Sequence, residues 1–182
     1  MGRPSNREEK RAEILRAFAL VLADHGYAGA TVAKVATEAG ISAGLVHHHF
    51  ESKDELLGAL LDLLIAGFRE RLRQQSGENA LQTYADAALQ LDEKADTVAA
   101  RCWVGLFAEA VRNPELFRKV RRMLDSEIGA LRGLSGHRLS DHQASAILAF
   151  VMGSLVFGAF APRKTAGFAA PALKDLIQSF SA

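Results

Sequence analysis

Apolar residues along this chain recur at spacings of three and four, and no stretch keeps the period-two alternation of a half-buried strand. The pattern predicts an all-α protein of about nine helices. The first opens near Arg7, with Ser5 and Glu8 or Asn6 and Glu9 as its capping box. It carries Ile14, Leu15, Phe18, Val21 and Leu22 as one stripe and stops at His25 and Gly26, where glycine supplies the left-handed terminal residue. Thr31 caps a second helix over 32–39, with Val32, Val35 and Ala36 inward and Gly40 closing it. Ser42 caps a short third helix over 43–50, and Ser52 with Glu55 opens a long fourth one bearing Leu56, Leu57, Leu60, Leu61, Leu64, Phe68 and Leu72.

A polar, glycine-containing break at 74–79 follows, then helices over 80–91, 97–111 and 114–134, the last with Asn113 as N-cap and Pro114 at its first position. The segment LSGHRL reads as a loop, and Ser140 with Gln143 boxes the start of a helix running to about 161. A Gly/Pro/Ala-rich connector then precedes a last short helix over 172–180. All four prolines fall where helices would start or stop. The break suggests two domains, 1–57 and 58–182, divided inside or just after the fourth helix.

Helix two, Gly40, Ser42 and helix three have the spacing of a helix-turn-helix. Two steeply crossing helices need a turn of three or four residues with a glycine, and the second must fit the DNA major groove. Its residues are Ala43, Gly44, Leu45, Val46, His47, His48, His49 and Phe50. Small residues at its start allow close approach to DNA, while Val46 and Phe50, one turn apart, anchor it inward.

Charge refines this picture. The 182 residues carry 22 Lys plus Arg against 21 Asp plus Glu, a net +1, so no bulk polycation is present. Residues 1–58 hold seven basic and eight acidic side chains, yet 39–50 contain no carboxylate. A nucleic-acid surface here is local, built from Thr31, Lys34, Ser42, the imidazoles and Lys53. At 49% hydrophobic and 24% charged the chain can bury a core and is not disordered. The lone Cys102 excludes an intrachain disulfide and a cysteine zinc cluster, and fits a reducing cytosol. The polar opening MGRPSNREEKRAE has no secretory core, so a cytoplasmic protein is expected. Residues 143–162 are free of charge and long enough to cross a membrane, but polar and small residues interrupt them and no second span follows. They read instead as a buried dimer helix, facing its own core through Leu148, Met152 and Leu155 and a partner through Ile147, Val151, Ser154 and Gly158, with Leu173 and Ile177 of the last helix joining the interface.

The stretch TVAKVATEAGISAGLVHHHFESKDELL resembles the DNA-binding region of the TetR family of bacterial repressors. Thr31, Ala36, Ala39, Gly40, Ile41, Ser42, Gly44, His49, Phe50, Lys53 and Leu56 fit that family's pattern in register, within a resemblance spanning about residues 8–68. His47 stands where the family usually has a phosphate-contacting tyrosine, and an imidazole can also donate to phosphate. The resemblance implies a homodimer with a DNA-reading head and a helical C-terminal domain that takes a small molecule and releases a palindromic operator. Thr31, Lys34, Ser42, His47, His48, His49 and Lys53 are its expected DNA contacts, with Ala43, Gly44 and Leu45 nearest the bases. The stretch RCWVGLFAEAVRNPELFRKVRRMLDSEI is similar to the C-terminal domains of betaine/choline-type repressors, without carrying choline specificity over.

Tyr84, Trp103, Phe107, Met123, Phe150 and Phe157 are the candidate effector-binding residues, implying an apolar or aromatic molecule or, second, a quaternary ammonium held on Trp103, with Tyr84 or Glu109 as an orienting polar group. Successive helix positions point about 100° apart, so the three histidines cannot converge on one metal. No phosphate loop, zinc-protease or nucleophile-elbow motif is present, so no catalysis and no cofactor are expected. The competing reading is a DNA-tethered helical interaction module without a small-molecule effector.

Overall fold

The computed structural model of the chain describes residues 6–75, 79–89 and 95–180. Among these residues there are nine helices and no strand: α1 (Asn6–Gly29), α2 (Val32–Glu38), α3 (Ala43–His49), α4 (Lys53–Gln74), α5 (Ala80–Leu89), α6 (Ala95–Ala110), α7 (Pro114–Leu134), α8 (Asp141–Phe160) and α9 (Pro162–Ser179). The Ser5 capping residue lies outside the described residues. Two compact units divide after Ile65, inside α4.

The first unit follows its local signals closely. Gly26 adopts φ 65° and breaks α1 where a left-handed residue is needed; a last turn then carries the chain to Gly29. The Thr31 hydroxyl oxygen accepts the Lys34 N–H at 3.3 Å, and the Ser42 hydroxyl oxygen accepts that of Leu45 at 3.2 Å. Each satisfies a donor that a helix start leaves open. Gly40, at φ 65°, makes the turn between α2 and α3. Ile14, Phe18, Val21 and Leu22 of α1, Val35 and Ala36 of α2, Val46 and Phe50 of the α3 region, and Leu56, Leu57, Leu60 and Leu61 of α4 are all buried.

In the second unit α8 is the hub, packing against α5, α6, α7 and α9. Its buried stripe is Ala144, Ile147, Leu148, Val151, Ser154, Leu155 and Gly158, and it opens with the Ser140/Gln143 capping box read from the sequence. Asn113 likewise caps α7, accepting the Glu115 and Leu116 N–H groups at 3.0 Å each. Asn79 caps α5 by the same means, a cap the sequence analysis missed inside its break.

Two expectations are corrected here. The last helix is not a short one over 172–180: it starts at Pro162 and runs unbroken through Pro171. Proline at the first turn costs no hydrogen bond, and interior Pro171 forgoes only the bond to the Gly167 carbonyl, while the buried Thr165, Ala169, Ala170, Leu173 and Ile177 hold the helix to its neighbours. The six expected dimer residues, Ile147, Val151, Ser154, Gly158, Leu173 and Ile177, are buried inside a single protomer. A Cβ on Gly158 would already touch Thr165 of the same chain at 3.6 Å. The face of α8 left open is the opposite one, with Ala146, Ala149, Gly153, Val156, Phe157 and Phe160. A helix apolar all round gives periodicity two equivalent faces, and only the packing of its neighbours chooses between them.

Candidate nucleic-acid interface and effector residues

The reading head presents the start of α3 to solvent. Thr31, Lys34, Ser42, Ala43, Gly44, His47 and His48 are exposed, and Leu45 is half-buried. The capping oxygens of Thr31 and Ser42 accept backbone N–H groups, which leaves each hydroxyl proton available to an outside acceptor such as a phosphate oxygen.

Two of the expected contacts are turned inward. His49 is only 8% exposed, and its Nδ1 finds no hydrogen-bond partner among the described residues. Its ring meets that of His48 edge to face at 5.2 Å. As a DNA contact His49 is therefore withdrawn: on α3 it lies one turn from Leu45 and on the side of Val46 and Phe50, which pack into the head. Lys53 is also occupied. Its Nζ sits 4.1 Å from the Tyr27 ring centroid and donates to the Tyr27 carbonyl at 2.8 Å, while the Tyr27 hydroxyl hydrogen-bonds the Asp54 carboxylate.

What holds α3 in place was not read from the sequence. The Arg11 guanidinium donates from Nη1 to the His49 carbonyl and from Nη2 to Glu55 Oε1 at 3.1 Å, and it lies 4.0 Å over the Phe50 ring. Glu55 Oε2 accepts the Glu51 N–H at 2.8 Å, and the Glu55 N–H donates to Ser52 Oγ at 3.0 Å. The expected Ser52/Glu55 box is thus present with one difference, that the carboxylate reaches back one residue beyond Ser52. Desolvation opposes the charge on Glu55, but the Glu51 N–H and Arg11 outweigh it and hold the carboxyl below its ordinary range.

In the second unit the expected effector residues fall into separate groups. Trp103 and Phe107, one turn apart on α6, stack with centroids 5.5 Å apart, and Trp103 is buried. Tyr84, 2% exposed, meets Phe68 edge to face at 5.3 Å. Met123 is buried on α7 and Phe150 half-buried on α8. Phe157 does not belong with them: it is 48% exposed and packs edge to face on Phe168 of α9 at 5.9 Å. Glu109, the other expected polar group, is half-buried on α6, and a different carboxyl group lies beside Tyr84.

That group is Glu127, which is buried on α7 with Arg69 Nη2 3.6 Å away from an exposed position. Burial pushes the Glu127 carboxyl up, only partly countered by Arg69, and burial followed by the Glu127 charge pushes the Tyr84 phenol up. A signal for Glu127 was available, since it occupies a register position of the stripe Leu116, Val120, Met123, Leu131 where spacing calls for an apolar side chain. Cys102 is buried with its thiol pushed up to about 12, which makes it an inert core residue.

Comparison with known proteins agrees with this geometry. The family described as bacterial regulatory proteins, tetR family, matches residues 14–60. The HTH-type transcriptional regulator BetI of Stenotrophomonas maltophilia is 29% identical over 172 residues, covering 86% of this chain and 87% of that protein. The HTH-type transcriptional regulator Mb3439c of Mycobacterium bovis is 31% identical over 133 residues, 70% of this chain and 67% of that one. A crystal structure of a transcriptional regulator from Rhodococcus sp. Rha1 superposes with a TM-score of 0.81 at 26% identity, covering 93% of this chain and 95% of that one.

The buried imidazole sets a pH dependence for the head. Desolvation first, then the charges of His48, Arg7, Arg11 and Lys10, depress the His49 pKa below its ordinary 6.5. The folded head therefore binds fewer protons than the unfolded chain, so the stability of this site is complete above pH 6.5 and is lost as pH falls towards the folded value. Acid titration of the thermal midpoint should show this loss, and His49→Phe should flatten it; an unchanged acid limb in that variant would place the titrating group elsewhere.

Proposed function

The chain belongs to the TetR family and is a DNA-binding transcriptional regulator; on that footing we propose that it represses transcription as a homodimer on a palindromic operator and leaves the DNA when a small molecule enters its second unit. The observation that carries the reading is the exposed start of α3, small and free of carboxylates, held by a buried inner side of Val46, His49 and Phe50. In the complex α3 lies in the major groove with Ala43, Gly44 and Leu45 nearest the bases. Thr31, Lys34, Ser42 and His47 hold the phosphates, and Lys53 joins them by leaving Tyr27. Repressor action, regulation in the bacterial cytoplasm and the absence of a catalytic role belong to the same proposal.

The partner protomer docks on the open faces of α8 and α9. Val156, Phe157, Phe160 and Phe168 are large exposed apolar side chains on these two helices, and Gly153 lets a second backbone approach. Apart from this face α8 is enclosed by its own chain, so the one charge-free helix serves both the core and the dimer.

The effector reading rests on Trp103, Phe107, Met123 and Phe150 as apolar contacts and on Tyr84 and Glu127 as the polar ones. An apolar or aromatic molecule suits the first set. The buried Glu127, whose basic neighbour is exposed and 3.6 Å away, favours one that also carries an ammonium group. Release requires that the ligand bind the DNA-incompetent arrangement more tightly than the competent one.

Three measurements test these assignments. A duplex recovered by selection from a random-sequence library with the wild-type protein serves as operator. His47→Ala and Lys34→Ala should each weaken it uniformly across sequences, and Lys34→Ala, which removes a charge, should also lower the slope of log affinity against log salt by about one. A change in base preference at full affinity would refute their phosphate role. Gly153→Arg should give monomers in light scattering through a charge in a desolvated contact, and a stable dimer would move the interface elsewhere. For the effector, organic ammonium ions and neutral aromatics that quench Trp103 should release the selected duplex in parallel. Glu127→Gln should weaken the response to the ammonium ions alone; equal loss or retention for both classes would remove Glu127 from the site.

A further inference from the structure

We propose that Arg11 is the positioning residue of the reading helix, setting the attitude of α3 towards DNA without touching DNA. The inference rests on the DNA-binding reading of the head. It stands on three contacts that one guanidinium makes. Nη1 donates to the His49 carbonyl, one of the acceptors that the end of α3 leaves open. The positive charge at that end also complements the helix dipole. Nη2 donates to Glu55 at 3.1 Å, across 44 residues of sequence. The flat face of the group covers Phe50, which is 1% exposed and whose backbone, at φ −139° and ψ 119°, carries the chain out of α3 towards α4. Glu55 is itself held by the Glu51 N–H, so Arg11 closes on a carboxylate already fixed to the α3–α4 connection.

An isolated surface ion pair of this length contributes little. Arg11 differs because its fork joins three segments of the head, α1, the end of α3 and the start of α4, and adds a polar tie to the apolar anchor of Val46 and Phe50. Lysine cannot replace it: an ammonium is a point donor and cannot bond both acceptors in a fixed plane while lying flat on a ring. A reading helix free to tilt at this end would carry Ala43, Gly44 and Leu45 away from the geometry that base contact requires.

The test uses the full-length protein, the duplex selected with wild type, and Arg11→Lys, Arg11→Met and Glu55→Gln. Arg11→Lys keeps the charge and loses the fork. Each variant should bind the duplex about tenfold more weakly, the scale of losing a charge-assisted hydrogen bond. The salt slope should stay at its wild-type value, because no phosphate contact has gone. Amide hydrogen exchange should speed up in α3 and stay unchanged in α8. A salt slope reduced by about one in Arg11→Met would make Arg11 a phosphate contact and overturn the proposal. Wild-type affinity and α3 protection in Arg11→Lys would also overturn it, by showing that charge alone suffices. If wild type selects no duplex, it is the DNA reading that fails, while the exchange data still report whether Arg11 holds α3.

Discussion

A seven-residue helix cannot hold itself in a defined attitude; α3 is too short to nucleate or persist alone, and its orientation is borrowed from what it packs against. Val46 and Phe50 supply an apolar hinge line, and Arg11 supplies the lateral tie at the C-terminal end, on the His49 carbonyl and on Glu55. With the inner side of α3 held by these groups, its outer side is free to carry small and polar residues chosen for DNA. The exposure of Ala43, Gly44 and His47 and the burial of His49 and Phe50 are two consequences of one packing arrangement.

The second unit rests on a comparable constraint. Four helices converge on α8, so a charge on its buried stripe would be desolvated without a partner. This accounts for the absence of charge along the stripe: α8 is long and apolar enough to cross a membrane, and seven of its residues are buried against its own chain. The residual open face, with Phe157 and Phe160, is then conspicuous. In a regulator of this family a second protomer is the proposed occupant.

Two buried polar groups stand where packing calls for an apolar side chain. Glu127 interrupts the apolar stripe of α7 beside Tyr84, and His49 interrupts the inner face of α3 beside a basic stretch of α1. Both positions carry a desolvation cost that an apolar residue of similar size would avoid. For Glu127 the proposed compensation is a ligand. For His49 the expected consequence is stability lost as pH falls below 6.5.

The elements themselves were legible in the linear pattern. Thr31, Ser42, Asn113 and Ser140 announce helix starts through local hydrogen bonds that need no tertiary context, and Gly26 and Gly40 announce turns through backbone conformations other residues avoid. The helix-turn-helix register followed from these signals, and family resemblance extended it to a DNA-binding role. What the pattern left open was every choice made between distant parts of the chain. Periodicity could not tell which face of α8 its own chain covers, and the residues expected at the dimer are among those it buries. It read 162–171 as a connector because Pro171 breaks helices locally, whereas burial of Thr165 and Leu173 holds α9 together around it. It counted His49 with its neighbours because three successive histidines look alike in sequence, and only packing turns one of them inward. It gave no reason to join Arg11 to Glu55 across 44 residues. Caps and turns are decided within a few residues by backbone chemistry, and the sequence determines them alone; burial, ion pairing and the choice of face depend on which surfaces meet, and the tertiary structure decides those.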